Sequence, residues 1–244
     1  MGVPRRMGTV YTSRAQASTG TTPGPTSGRM DRGAEPVSDD FGLKDSEARL
    51  WHLIAERAQP DADVATIDRR IWDLFGENWA VMFTDLSGFS RQVEAFGILH
   101  FLQVIYEQKR LLLPIVSGHD GILVKTEADS FLLLFRRPDT AMRCAIAMQA
   151  ACARHNLRRV PEEQVLLCLG IGYGRVLRIG DADVYGAEVN AASKLGEDTA
   201  RAGQILVTRA VKDALEDTSG LAFAPLSDQI PGSHENFDVS YPRV

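Results

Sequence analysis

Apolar positions in this chain recur at two periods, and the switch points between them mark out its elements. Asp45-Ser-Glu-Ala-Arg-Leu50-Trp-His-Leu-Ile54-Ala-Glu-Arg repeats apolar residues at helical spacing behind an acidic first turn, which predicts a helix ended by Pro60. A second helix is predicted over 64–75, with Ile67, Ile71, Leu74 and Phe75 on one face. From Trp79 onward strand and helix alternate. Ala80-Val-Met-Phe-Thr-Asp85 reads as a buried strand running into a carboxylate and then a Ser-Gly turn. A helical region over 93–117, interrupted near Gly97, carries Phe101, Leu102, Ile105 and Leu112 as its inner stripe.

The stretch 121–135 is strand, short polar break, strand: a β-hairpin with Asp129 near its tip. A third helix over 140–155 is rich in Ala and Met. A strand over 165–173 follows, with Gly172 and Gly174 around its end, then a short strand over 175–180 and a helix over 189–199. The strand 204–208 enters a short helix through Leu215, and 221–225 with 237–241 alternate as an edge hairpin does. Strands and helices mixed in this order predict an α+β sandwich.

Composition narrows the class. The chain has 244 residues, 44% hydrophobic and 24% charged, enough for one good-sized domain plus extras. Its net charge of −5 gives no reason to expect nucleic acid as a partner, and no apolar run reaches the ~18 residues of a membrane span. Cys144, Cys152 and Cys168 are odd in number and lack Cys-x-x-Cys spacing, which argues against a disulfide framework or a zinc site. Cys144 and Cys152 read as small core residues, and a cytoplasmic compartment fits best. Half of residues 1–40 are Gly, Pro, Ser or Thr, so that segment is expected to be disordered. Its arginines resemble a transit peptide only in composition, and Met7 and Met30 are alternative starts.

Two aspartates at neighbouring strand ends, Asp85 and Asp129, have the chemistry to hold one or two Mg²⁺ against a triphosphate. Around them the residues resemble a known family. The strand-Asp85-x-x-Gly-Phe-Ser segment, the Lys125-Thr-x-x-Asp129 hairpin and Asp183-Val-Tyr-Gly186-Ala-Glu-Val-Asn190 look like the class III nucleotide cyclase catalytic domain, in the same order. The resemblance covers roughly 79–244. It leaves 41–78 as a helical extension, and it implies a ferredoxin-like core with a mostly antiparallel sheet under helices.

The resemblance also implies a chemistry and the residues that perform it. Asp85 and Asp129 would bind two Mg²⁺ or Mn²⁺ ions, with the Leu86 carbonyl as a further ligand. Lys125 can only donate and an ionised Asp183 only accept; guanine offers the reverse of adenine's N1 acceptor and amino donor. The resemblance places these two residues at the family's spacing for its adenine-reading pair, which implies ATP. Asn190 would orient the ribose, and Lys194, one helical turn on, stands where the family has an arginine that stabilises the transferring phosphate. Lysine keeps the charge and loses the planar fork. Ile230-Pro231-Gly232 lacks the basic residue that active members carry there, Arg175 resembles a phosphate-side arginine, and Ala128 replaces the usual glycine before Asp129.

Because metal and base residues occur in one chain, the resemblance implies a head-to-tail homodimer with composite sites, acting on ATP to make cyclic AMP. The alternative is a degenerate homology domain that binds nucleotide or dimerises as a regulatory module. A diguanylate-type cyclase is disfavoured by the lack of a Gly-Gly-Asp/Glu-Glu-Phe-like signature.

Overall fold

The computed structural model describes residues 46–227, 230, 233 and 235–242. The expectations for 1–40, and for Pro231 and Gly232, lie outside them. Helices α1 (Ser46–Arg57) and α2 (Val64–Phe75) bury Leu50, Leu53, Ile67, Ile71 and Phe75 against each other and against Ile179. Arg57–Asp68 and Arg70–Glu56 ion pairs link their outer faces. Leu74, expected inside, is half-exposed, because the buried stripe of α2 runs every four residues through 67, 71 and 75.

Helix α2 leads directly into β1 (Gly76–Leu86), an interior strand of the sheet. Next come α3 (Phe89–Phe96), α4 (Ile98–Gly118), the hairpin β2 (Ile122–Glu127) and β3 (Ser130–Phe135), and α5 (Pro138–Asn156). The chain continues through β4 (Leu167–Ile179), β5 (Asp183–Tyr185), α6 (Ala187–Ser193) and a π-helical turn, Lys194–Thr199. It ends in β6 (Ile205–Thr208), α7 (Arg209–Ala214), β7 (Ala222–Pro225) and β8 (Asn236–Ser240). The strand order is β2-β3-β1-β4-β6-β8-β7, with β5 paired to β4. Every pairing is antiparallel except β4 with β6. This is the expected α+β, mostly antiparallel architecture.

Both faces of β1 are covered, which is why its sequence reads as a continuous apolar run. Ala80 and Met82 face the larger core, with Phe131, Leu133, Leu169 and Ile171 and the buried sides of α4 and α5. Trp79 and Val81 face a smaller core with Leu132, Leu134, Val176 and Val189, beneath α6. Within the larger core α4 buries Phe101, Val104, Ile105, Gln108, Leu112 and Val116. Leu102, expected in that stripe, is half-exposed.

The strands expected over 165–173 and 175–180 are one strand of thirteen residues. The glycines that look like a break lie on the face that receives α6. A Cβ at Gly170 would come within 2.2 Å of the Ala192 carbonyl and 2.3 Å of the Gly196 nitrogen. Helix α6 therefore rests on the strand backbone itself, a contact only glycine permits. Asp183 lies in the short strand β5, which pairs with the end of β4. The helix expected over 189–199 is α6 followed by the π turn, closed by Ala200 N–H to the Leu195 carbonyl at 2.8 Å.

Candidate active site

Asp85 sits one residue before the end of β1, opposite Cys168 of β4. The β1–β3 register ends at Thr84 opposite Phe131, which brings Ser130 and the hairpin tip alongside Asp85. Thr84, fully buried, accepts a hydrogen bond on Oγ1 from the Phe131 N–H at 3.1 Å and so stitches the two strand ends together. The Ser130 hydroxyl lies 3.4 Å from Asp85 Oδ1. At the tip, Ala128 has φ +50°, the left-handed region that disfavours any residue with a Cβ. This is the position where glycine would be at ease. Gln108 of α4 reaches up from the core and donates to the Asp129 carbonyl at 2.7 Å. On the other side, Gly88 at φ +93° turns the chain sharply off β1 into α3.

The electrostatics of the two carboxyls are strained. Burial, then the charge of Asp129, push Asp85 from 3.8 up to about 7, against hydrogen bonding from the Leu86 N–H and Ser130. Burial also raises Asp129, against hydrogen bonds that include one from the same Leu86 N–H. Asp129 is buried, and its Oδ2 has no hydrogen-bond partner. A buried acceptor left unpaired beside a second carboxylate is an arrangement that a divalent cation relieves. Among the described residues no group of three or more His, Cys, Asp or Glu side chains gathers to cage an ion. Two carboxylates and the neighbouring Leu86 carbonyl suit a hard cation that completes its shell with water and phosphate oxygens. The donor set therefore fits Mg²⁺ or Mn²⁺.

A third carboxylate lies close by. Glu197, on the π turn, accepts from the Ser193 hydroxyl, lies near Ser130, and its charge is felt at Asp85. It is exposed as a residue, yet burial of the carboxyl raises its pKa, opposed by those two hydroxyls. Sequence reasoning missed Glu197, Ser130 and Gln108. Only Gln108 had a legible signal, a polar residue inside the apolar stripe of α4.

Lys125 and Asp183 meet in a direct ion pair although they are 58 residues apart. A bulge makes this possible: the register slips between Leu123 and Lys125, placing Lys125 opposite Leu132. Burial opposes the charge on Lys125, but the hydrogen bond and charge of Asp183 outweigh it and its pKa is raised. The second oxygen of Asp183 accepts from the Val184 N–H at 2.9 Å, which fixes the carboxylate.

Asn190 and Lys194 lie one turn apart on α6 and at its junction with the π turn. Asn190 is exposed. Lys194 Nζ is 3.4 Å from Asp198, and its carbonyl accepts from the Thr199 hydroxyl at 2.8 Å. Arg175 is engaged elsewhere: it stacks on Trp72 with 4.6 Å to the ring centre and donates to the Trp72 carbonyl at 3.1 Å. It lies seven residues along β4 from Cys168, about 23 Å at ~3.3 Å per residue. Within one chain, then, Asp85, Leu86 and Asp129 converge at one spot and Lys125 with Asp183 at another. Burial pushes the three cysteine thiols up to about 12, with Asp85 adding to the effect at Cys168, so all three are inert.

Comparison with known proteins matches the model of the adenylate and guanylate cyclase catalytic domain to residues 75–231. The chain belongs to that family. It is 31% identical over 166 residues to the serine/threonine-protein kinase pkn2 of Myxococcus xanthus, covering 67% of this chain and 19% of that one. The chain spans about a fifth to a third of the length of the curated relatives it matches. Among solved structures, the adenylyl cyclase CyaB of P. aeruginosa superposes with TM-score 0.57 at 19% identity, over 69% of this chain and 96% of that one. The guanylyl cyclase domain of the RhoGC fusion protein of the fungus Blastocladiella emersonii superposes equally well, with TM-score 0.57 at 19% identity, over 68% and 97%. These two likenesses establish the fold and are neutral between the two bases. No helix among the described residues is long and apolar enough to cross a membrane.

Proposed function

We propose that the chain is an adenylate cyclase, converting ATP to 3′,5′-cyclic AMP and pyrophosphate at two composite sites of a head-to-tail homodimer. In the reaction the ribose 3′-oxygen loses its proton and attacks the α-phosphorus. The new O–P bond closes the ring as the bond to the β-phosphate oxygen breaks. Two Mg²⁺ or Mn²⁺ ions, held by Asp85, Asp129 and the Leu86 carbonyl, would supply charge stabilisation for the 3′-oxygen and the departing phosphates.

The chain's own residues do the rest. Lys125 donates to adenine N1 and Asp183 accepts from the 6-amino group, and their mutual ion pair pre-aligns both. Asn190 orients the ribose from the exposed face of α6, and Lys194 places its charge beside the α-phosphate. Arg175 would reach phosphate only by leaving Trp72.

The observation that carries this reading is the Asp85–Asp129 pair with its partnerless buried oxygen. The dimer is supported by the way Lys125 and Asp183 engage each other while neither is among the groups that act on Asp85 or Asp129. Asp85→Ala and Asn190→Ala would each be inactive alone. Mixed in equal amounts, they should regain about a quarter of wild-type activity, because half the dimers are mixed and each holds one intact site. A mixture no better than its parts would remove the composite site.

One observation favours the second reading, a nucleotide-binding regulatory module: Lys194 stands where the family has arginine and is engaged by Asp198. Such a module would bind ATP and form no product.

A further inference from the structure

Gln108 is the polar residue least expected where it stands. It lies fully buried on the inner stripe of α4, among Phe101, Val104, Ile105 and Leu112. Its amide nitrogen donates to the Asp129 backbone carbonyl at 2.7 Å, while its Oε1 is buried with no partner. A side chain that leaves half its hydrogen-bonding capacity unmet destabilises a core, and a leucine of similar volume would avoid the penalty. The one bond it makes is to the main chain of Asp129. That bond grips the residue from below and leaves the carboxylate oxygens out of its reach.

The tip needs such a grip. Ala128, immediately before Asp129, is held in the left-handed region where a residue with a Cβ is disfavoured. A hairpin tip with one strained residue relaxes unless something outside the hairpin holds it. On the β1 side the strand ends are held by the Thr84–Phe131 hydrogen bond. On the α4 side the hold is Gln108.

We propose that Gln108 is a positioning residue of the metal site: its clamp on the Asp129 carbonyl fixes the strained tip so that the Asp129 carboxylate stays in register with Asp85. The inference rests on the metal-binding reading of those two aspartates. It assigns α4, which contributes no ligand, a direct part in setting metal affinity.

The test uses the full chain with Gln108→Leu, and Gln108→Met as a second variant of similar volume. Metal affinity is read without turnover, as Mn²⁺ binding by electron paramagnetic resonance in the presence of 3′-deoxy-ATP. Thermal melting is followed in parallel, and Asp85→Ala serves as the metal-site control. The expected result is Mn²⁺ bound at least about fivefold more weakly per folded molecule, with the melting temperature setting only how much protein is folded. Where turnover is measured, the half-saturating metal concentration should rise by a similar factor, and the rate should fall about 10- to 100-fold because a loosened ligand misplaces the reacting atoms.

A purely structural glutamine would change melting and leave the metal constant per folded molecule as it was. Wild-type Mn²⁺ affinity in folded Gln108→Leu or Gln108→Met overturns the proposal, whether or not melting shifts. If wild type binds no Mn²⁺, or Asp85→Ala binds it as wild type does, the metal reading itself has failed and this inference goes with it. If Asp85→Ala abolishes binding and the Gln108 variants do not weaken it, only the positioning role is lost.

Discussion

Asp85→Asn should stabilise the metal-free protein while abolishing its chemistry. In the unfolded chain Asp85 ionises near its ordinary 3.8, whereas in the fold burial and the charge of Asp129 raise it to about 7. Between those values the folded state holds a proton that the unfolded state has released. Stability therefore falls as pH rises through that window, and the deficit is complete above about pH 7. A displacement of about three pH units, at roughly 1.4 kcal/mol each, sets a ceiling near 4 kcal/mol. Asp85 is only partly buried, and the solvent that reaches it reduces this to about 1–2 kcal/mol. Asparagine keeps the shape and removes the charge. Scanning calorimetry in a chelator should show the variant melting about 2–8 °C above wild type at pH 8, with the gap closing as pH falls toward 4. Added Mn²⁺ should raise wild-type melting at pH 8 and leave Asp85→Asn unmoved, since only the former has a site to fill. No gain at pH 8, or the same gain at every pH, would refute the electrostatic account of the pair.

Two other substitutions probe the same neighbourhood. Ala128→Gly releases about 1–2 kcal/mol of left-handed strain and gives back about 0.5–1 kcal/mol of unfolded-chain entropy. The net expectation is a gain of about 0.5–1 kcal/mol in denaturant melts, and a loss would show that the tip carries no strain. On the role proposed for Lys194, Lys194→Arg would give the transferring phosphate a bidentate donor, and at roughly 2–3 kcal/mol for that contact the turnover at saturating ATP should rise about 30- to 150-fold. Disturbing the exposed Lys194–Asp198 ion pair should leave melting within about 1 kcal/mol of wild type, so an unchanged rate would point away from Lys194 as the phosphate residue.

The elements were legible in the sequence where one face of each is buried and the period is therefore clean. Helix α2 matches its expected span of 64–75, and the hairpin falls where a polar break interrupts two apolar runs. Leu74 and Leu102 were misplaced because leucine at a helix margin reads as core from spacing alone; burial is decided by the partner surface. The division of β4 at Gly172 and Gly174 was a sound reading of glycine in isolation. It failed because those glycines answer to Glu188 of the helix α6 lying on the strand, a contact 14 to 16 residues distant in sequence.

The same limit applies to the site. Asp85 was visible because it comes at the end of an apolar strand, and Asp129 because it sits in the polar break of a hairpin. The pairing of Lys125 with Asp183 depends on a bulge that no local pattern announces. Glu197 and Ser130 reach Asp85 only through the sheet register and the π turn, so nothing local singled them out. Gln108 was the exception, since a glutamine inside an apolar stripe is itself a signal.

The most direct test of the central claim is product formation by the purified chain with Mn²⁺ and either ATP or GTP, beside Asp85→Ala. The account predicts cyclic AMP from ATP, little cyclic GMP from GTP, and neither product from Asp85→Ala. Cyclic GMP as the main product would contradict the adenine reading of Lys125 and Asp183, and no product from either nucleotide at high protein concentration would contradict the enzyme itself.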